Sequence, residues 1–166
     1  MPEKETIERA REDAREGKAP STQAGEFVRE EMEHIRKGKH GARSTKQAVA
    51  IGLSKARRAG VKLPPPGAGR ASAATREHAE RDYRKGQSGG TQKPSPRRSR
   101  GVLRALKREG TQAASPEALG RQAHDSARRR GSASRRRAAE KAVRTKGTAG
   151  LRRAARKAAR TRRSHR

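Results

Sequence analysis

The sequence predicts an all-α chain: a small N-terminal helical unit of two to three helices, then a largely disordered basic tail with helix-prone segments. Three observations predict it. Large apolar side chains are scarce among the 166 residues, with one Phe, one Tyr, two Met, three Ile, six Leu, five Val and no Trp. Charge is unevenly divided: residues 1–37 carry eight basic and ten acidic side chains, 38–63 seven basic and none acidic, and 92–166 twenty-five basic against four acidic. Apolar residues at helical spacing, with start and stop signals, are concentrated in residues 1–63. Ordering a residue costs about 1–2 kcal/mol of backbone entropy, and low hydrophobicity with a net charge of +28 is the signature of a chain largely disordered on its own.

The domain reading follows: a helical unit over 1–63, a Pro/Gly/Ser-rich linker over 64–100 and a basic Ala/Arg-rich tail over 101–166. The first helix, Glu3 to Glu16, is supported by Glu5–Arg9, Glu8–Arg11 and Glu12–Arg15 pairs and ended by Gly17 and Pro20. The second, Gln23 to Lys37, takes Ser21 or Thr22 as N-cap. Ala24, Phe27, Val28, Met32 and Ile35 lie on one arc of it, interrupted by Glu31. Its early acids and late Arg36-Lys37 suit the helix dipole, and Gly38 closes it. The third, over 44–59, opens with a Ser44-x-x-Gln47 capping box. It gathers Ala48, Val49, Gly52, Leu53, Ala56 and Ala59 on one face, its small residues letting another helix approach. Gly60 and Pro64-Pro65-Pro66 stop it. A lone helix is expected over 75–85, then a linker from Gly86 to Pro96. Short helical pieces follow over 102–109, 116–130, 134–146 and 151–163, marginal in water and favoured on a polyanion.

Chemistry-bearing patterns are sparse. There is no cysteine, so no disulfide, zinc finger or thiol nucleophile is expected, which fits a reducing cytoplasm. His34, His40, His78, His124 and His165 are scattered without metal-ligand spacing, and His34 and His78 read as exposed helix positions. No phosphate loop or nucleophile elbow occurs, and Gly86–Gly90 reads as linker. No enzyme activity, cofactor, metal or small-molecule substrate is expected. The longest apolar run, Ala48–Leu53, is too short to cross a membrane, and the N-terminal residues lack a signal-peptide stretch. The expected location is cytoplasmic, at the nucleoid.

The charge points to a polyanion. The loop Gly38–Ser44 reads either as a phosphate contact beside a helix N-terminus or as an ordinary glycine-bounded turn. It is longer than a helix-turn-helix turn, and no recognition helix stands out. The candidate nucleic-acid-binding residues of the N-terminal unit are Lys39, Arg43, Lys46, Lys55, Arg57 and Arg58. Those of the tail are Arg97, Arg98, Arg100, Arg128, Arg129, Arg130, Arg135, Arg136, Arg137, Arg152, Arg153, Arg156, Lys157, Arg160, Arg162 and Arg163. Aromatic platforms for single strands are missing, which favours duplex DNA over RNA, and alanine stripes suit a membrane poorly.

The segment Gly38-Lys-His-Gly-Ala-Arg-Ser-Thr-Lys-Gln-Ala-Val-Ala-Ile-Gly-Leu-Ser-Lys-Ala-Arg-Arg-Ala-Gly60 resembles the signature of a small uncharacterised bacterial family of basic proteins. Its members are often labelled DNA-binding or plasmid-stabilisation proteins, and the resemblance covers about residues 3–63. Ser95-Pro96-Arg97-Arg98 is similar to the minor-groove turns of linker-histone and sperm-histone tails. The arginine runs of the tail resemble bacterial histone-like proteins. The expected function is non-sequence-specific DNA binding by a nucleoid-associated protein through phosphate neutralisation. The alternatives are an RNA- or ribosome-associated basic protein, or a plasmid-stabilisation or interaction module docking a protein partner through helices 23–37 and 44–59.

Overall fold

The computed structural model describes residues 2–89 and 95–164, and all its regular elements are helical. They are α1 (Lys4–Arg15), α2 (Pro20–Arg36), α3 (Thr45–Arg58), α4 (Ala73–Gln87), α5 (Pro96–Lys107), a 3₁₀ turn (Gln112–Ala114), α6 (Pro116–Arg129) and α7 (Gly131–Ser164). The chain forms two compact units, Met1–Gly120 and Arg121–Arg166.

In the first unit α2 is central, packed against α1 on one side and α3 on another, while α4 lies against α3. The expected arc of α2 is its buried face: Ala24, Phe27, Met32 and Ile35 are buried and Val28 is half-buried. Two apolar clusters result. One joins Ala10, Ala24, Phe27, Ala56 and Val61, with Ile7, Leu53 and Leu63 against it. The other joins Met32, Ile35, Ala42, Ala48, Ala113 and Ala114, with Val28, Val49 and Leu119 against it. The helices approach closely at Gly52, where an added Cβ would lie 2.7 Å from Val28 Cα. Half of the expected Ser44 capping box forms: its hydroxyl accepts from the Gln47 N–H at 3.2 Å, while the Gln47 side chain accepts from the N–H of Arg43, the residue before the cap, at 2.9 Å. Helix α2 begins earlier than expected, with Pro20 in its first turn after Ala19, so its first turn holds no acid. Proline suits that place because its missing N–H is one the helix would leave unpaired.

The expectation of a largely disordered tail is overturned. Residues 96–107, 116–129 and 131–164 are helical, and most of this stretch buries nothing. A missing core does not prevent this, because a helix pairs its own backbone groups internally, and Ala, Arg, Lys and Leu are the strongest helix formers. The expected pieces at 134–146 and 151–163 are the two arms of α7, which bends at Gly147 (φ +61°, ψ 174°). Pro96 opens α5 rather than lying in a free-standing Ser-Pro turn.

The domain boundaries move for a related reason. Residues 105–119 belong to the first unit, where Ala113 and Ala114 are buried in its core. Thr45 Oγ1 donates to the Ala113 carbonyl at 2.7 Å, and Arg36 Nε to the Ala114 carbonyl at 2.9 Å. Nor is α4 a lone helix. Ser54 Oγ donates to Asp82 at 2.5 Å, Arg58 lies 3.7 Å from the same carboxylate, and the Gln87 amide donates to the Gly60 carbonyl at 3.2 Å. Gly86 is a packing residue inside α4, not the start of a linker: a Cβ there would overlap the Arg57 carbonyl. The rest of that expected linker falls partly on residues 90–94, outside the described residues.

Candidate functional site

The densest polar chemistry of the first unit lies where α2 meets the loop after it. Glu30 and Glu31 are both buried, on the face that turns toward α3. The Lys55 ammonium from α3 lies 2.7 Å from Glu31 Oε2 and 3.4 Å from Glu30 Oε1. Burying a carboxylate without a counter-charge is costly, so this lysine is committed to holding α2 and α3 together. It is closely paired with Glu31 but off the hydrogen-bonding direction, and both Glu31 oxygens lack a hydrogen-bond donor among the described residues. Glu30 Oε2 accepts from the Glu3 backbone N–H at 3.1 Å.

Two histidines complete the cluster. One turn beyond Glu31, His34 is only 13% exposed, and its Nε2 meets Glu3 Oε1 at 2.8 Å. Its Nδ1 lies 3.9 Å from Glu30 Oε1. His40, 10% exposed, places Nε2 3.5 Å from Glu31 Oε1 and Nδ1 3.1 Å from the Gly41 carbonyl. The two rings meet edge to face at 6.1 Å. Glu31, His34 and His40 are the only group among the described residues whose His or carboxylate ligand atoms converge, all within 4.8 Å of one another. The sequence reading of His34 as an exposed helix position is therefore corrected, whereas His78 is exposed as expected. The signal was present in part: Glu31 and His34 stand at i and i+3 on a helix. His40 arrives through a glycine-bounded loop that periodicity does not place.

That loop is held by the chain rather than left free. The Gly41 N–H donates to the Leu106 carbonyl at 2.9 Å, and the Ala42 N–H to the Gly110 carbonyl at 3.2 Å. A Cβ on Gly41 would overlap the Glu109 carbonyl. Those two amides cannot also bind phosphate. Lys39 pairs with Glu3 at 2.9 Å. Its hydrogen bond, reinforced by His34, holds the Glu3 carboxyl down at about 2.

The remaining candidate cations of the first unit divide the same way. Arg57 is buried and clamps the chain after α3, donating to the Leu63 and Pro64 carbonyls at 3.2 and 3.4 Å. Burial pushes its pKa down, with Asp82 opposing. Lys55 and Arg57 are thus internal, and Arg58 is shared with Asp82. Arg43 and Lys46 are exposed, as are Arg97, Arg98 and Arg100 on α5. The apolar faces of 23–37 and 44–59 turn largely into this unit's own two clusters, with Val28, Val49 and Leu53 half-buried and Ala59 exposed.

In the second unit Arg128, Arg129, Arg130, Arg135, Arg136 and Arg137 are exposed. So are Arg152, Arg153, Arg156, Lys157, Arg160, Arg162 and Arg163. Helix α7 carries thirteen Arg or Lys against one Glu. Among the described residues, no carboxylate lies within ion-pairing distance of the α7 cations, and their side chains donate no hydrogen bond, whereas Arg130 before the helix donates to the Ser126 carbonyl at 3.3 Å. On the second arm of α7 the 3.6-residue period puts Arg152, Arg153, Arg156, Lys157, Arg160 and Arg163 on one face. Leu151, Ala154, Ala155, Ala158 and Ala159 share the opposite one.

Residues 19–66 match a family described as "Family of unknown function (DUF6496)". The matched span runs from the start of α2 through the clamp after α3 and includes Glu31, His34, His40 and Lys55. No curated protein and no solved structure matches the chain. No described helix is long and apolar enough to cross a membrane.

Proposed function

We propose that this chain binds duplex DNA without sequence preference, as a non-catalytic, nucleoid-associated protein of the cytoplasm. The observation that carries the reading is α7: thirteen exposed cations that no described carboxylate neutralises. A helix with that charge density gains by exchanging condensed counterions on a phosphate backbone for its own side chains. Helix α5 supports the same reading, with five basic residues and no acid over Pro96–Lys107. The contact is made by preformed basic helices rather than by a disordered arm. Duplex is favoured over single strands because Phe27 is in the core and Tyr83 is half-buried, leaving no aromatic platform for unstacked bases.

Fluorescence anisotropy of the full chain on random, A·T-rich and RNA duplexes tests it. Replacing Arg152, Arg153, Arg156, Arg160, Arg162 and Arg163 by Gln should weaken DNA binding more than about tenfold, equally for both DNA sequences, since phosphate contacts carry no sequence information. Undiminished affinity in that variant would defeat the reading. Tight binding of RNA with weak binding of DNA would replace it with the RNA-associated alternative.

A further inference from the structure

We infer that Glu31, His34 and His40 form a binding site for a divalent transition-metal ion of the zinc class. Two imidazoles and a carboxylate are the donor set such ions prefer, and here the fold supplies it from a helix and the loop that follows. Each ring is already oriented from behind. His34 Nε2 rests on the Glu3 carboxylate at 2.8 Å, which leaves Nδ1 as its donor. His40 Nδ1 rests on the Gly41 carbonyl at 3.1 Å, which leaves Nε2 facing Glu31 Oε1 at 3.5 Å. A metal-binding histidine characteristically donates its second N–H to a carboxylate or a backbone carbonyl, and both kinds of partner are present.

Two further observations point to a cation. The Glu31 side chain is 1% exposed, and neither oxygen accepts a hydrogen bond among the described residues. The cluster is also short of positive charge. Glu3, Glu30 and Glu31 face Lys39 and Lys55, so with neutral imidazoles one negative charge is left over, and the two buried carboxylates share one ammonium. A divalent ion beside Glu31 Oε1 reverses that deficit. The converging atoms lie within 4.8 Å of one another, against about 3.3–3.5 Å between ligands of a closed tetrahedral zinc site. Binding the ion would draw the three donors together by that difference. Three protein donors leave a fourth position for water. The inference does not depend on nucleic-acid binding, because none of the three donors is among the exposed cations.

The test uses the full chain freed of metal with a chelator and then titrated with zinc ion alone, followed by calorimetry and by NMR of the histidine ring nitrogens. One zinc per chain should bind, moving the ring signals of His34 and His40 and leaving those of His78 and His124. His40→Gln should weaken binding roughly tenfold or more, the scale that even outer-shell changes reach. His78→Gln should leave it unchanged. Failure to bind zinc would overturn the inference, as would ring shifts confined to other histidines. So would His34 or His40 standing protonated at neutral pH and indifferent to zinc, with a proton balancing the cluster. If His40→Gln fails to fold, the ring shifts of the unaltered chain decide alone.

Discussion

Gly52 shows how little room a single residue leaves. An added methyl would meet Val28 Cα at 2.7 Å, a backbone atom that can retreat only if α2 moves away from α3. Gly52→Ala should therefore destabilise the first unit by about 1–3 kcal/mol, the usual cost of overpacking, despite alanine's better helix propensity. Urea denaturation followed by circular dichroism checks it, and unchanged stability would mean the helices are not that close. Glu3 supports a pH prediction. Its folded pKa, about 2, lies below the ordinary 4.5 because Lys39, and then His34, bond the carboxylate. Its stabilisation is complete above about 4.5 and is lost as pH falls toward about 2. Glu3→Gln should flatten the acid limb of a stability–pH profile in that window, while an unchanged limb would show the contact to be inert. The close approach was legible in the small residues of that face, though not that Gly52 is where it is tightest, whereas Glu3 reads as helix-end surface and its pairing is not visible in the one-dimensional pattern.

At the scale of elements, local signals located most helices and misjudged what they do. The Ser44 capping box, the glycine stops and the proline that opens α6 act over three or four residues, so sequence alone reveals them. The interruption of α7 was legible as the gap between the expected pieces 134–146 and 151–163, but not that the two are arms of one bent helix. Gly147 adopts φ +61° and ψ 174°, a conformation nearly restricted to glycine. Gly147→Ala should make α7 continuous, raising helical ellipticity and extending helical amide contacts across 146–150 in NMR spectra. Persistence of the bend with alanine would place its cause elsewhere. The role of α4 was not legible, because its union with α3 rests on Ser54, Asp82 and Gly86, polar and small residues that hydrophobic periodicity ignores.

Across the whole molecule, the compact first unit extends to Gly120. A fragment of residues 1–91 lacks Ala113, Ala114 and the carbonyls that Thr45 and Arg36 engage. Two lost hydrogen bonds alone amount to about 2 kcal/mol, or roughly 8–16 °C of melting temperature for a unit this size. Residues 1–120 should melt higher than 1–91 by that margin in calorimetry, and equal melting temperatures would detach 105–119 from the core. Charge is the other global property. If about eight cations engage phosphate together, log K should fall with log salt at a slope near −7. A slope near zero in salt titrations of the full chain would remove phosphate neutralisation as the source of affinity.

Composition and local pattern determined the helical class, the Ser44 cap and the concentration of positive charge after residue 92, because each is a property of near neighbours or of totals. Tertiary structure decided the rest. It turned Lys55 and Arg57 from surface cations into internal ties, seated two unremarkable alanines in the core and brought His40 to Glu31. These outcomes depend on segments as far apart as residues 36 and 114 meeting in space, and alanine or histidine carries no mark in the sequence of which distant segment it will meet. Disorder of the tail was the main misreading. Residues 113–114 of that stretch join the first unit's core, and beyond it the helices α6 and α7 bury no residue yet pair their backbone groups internally.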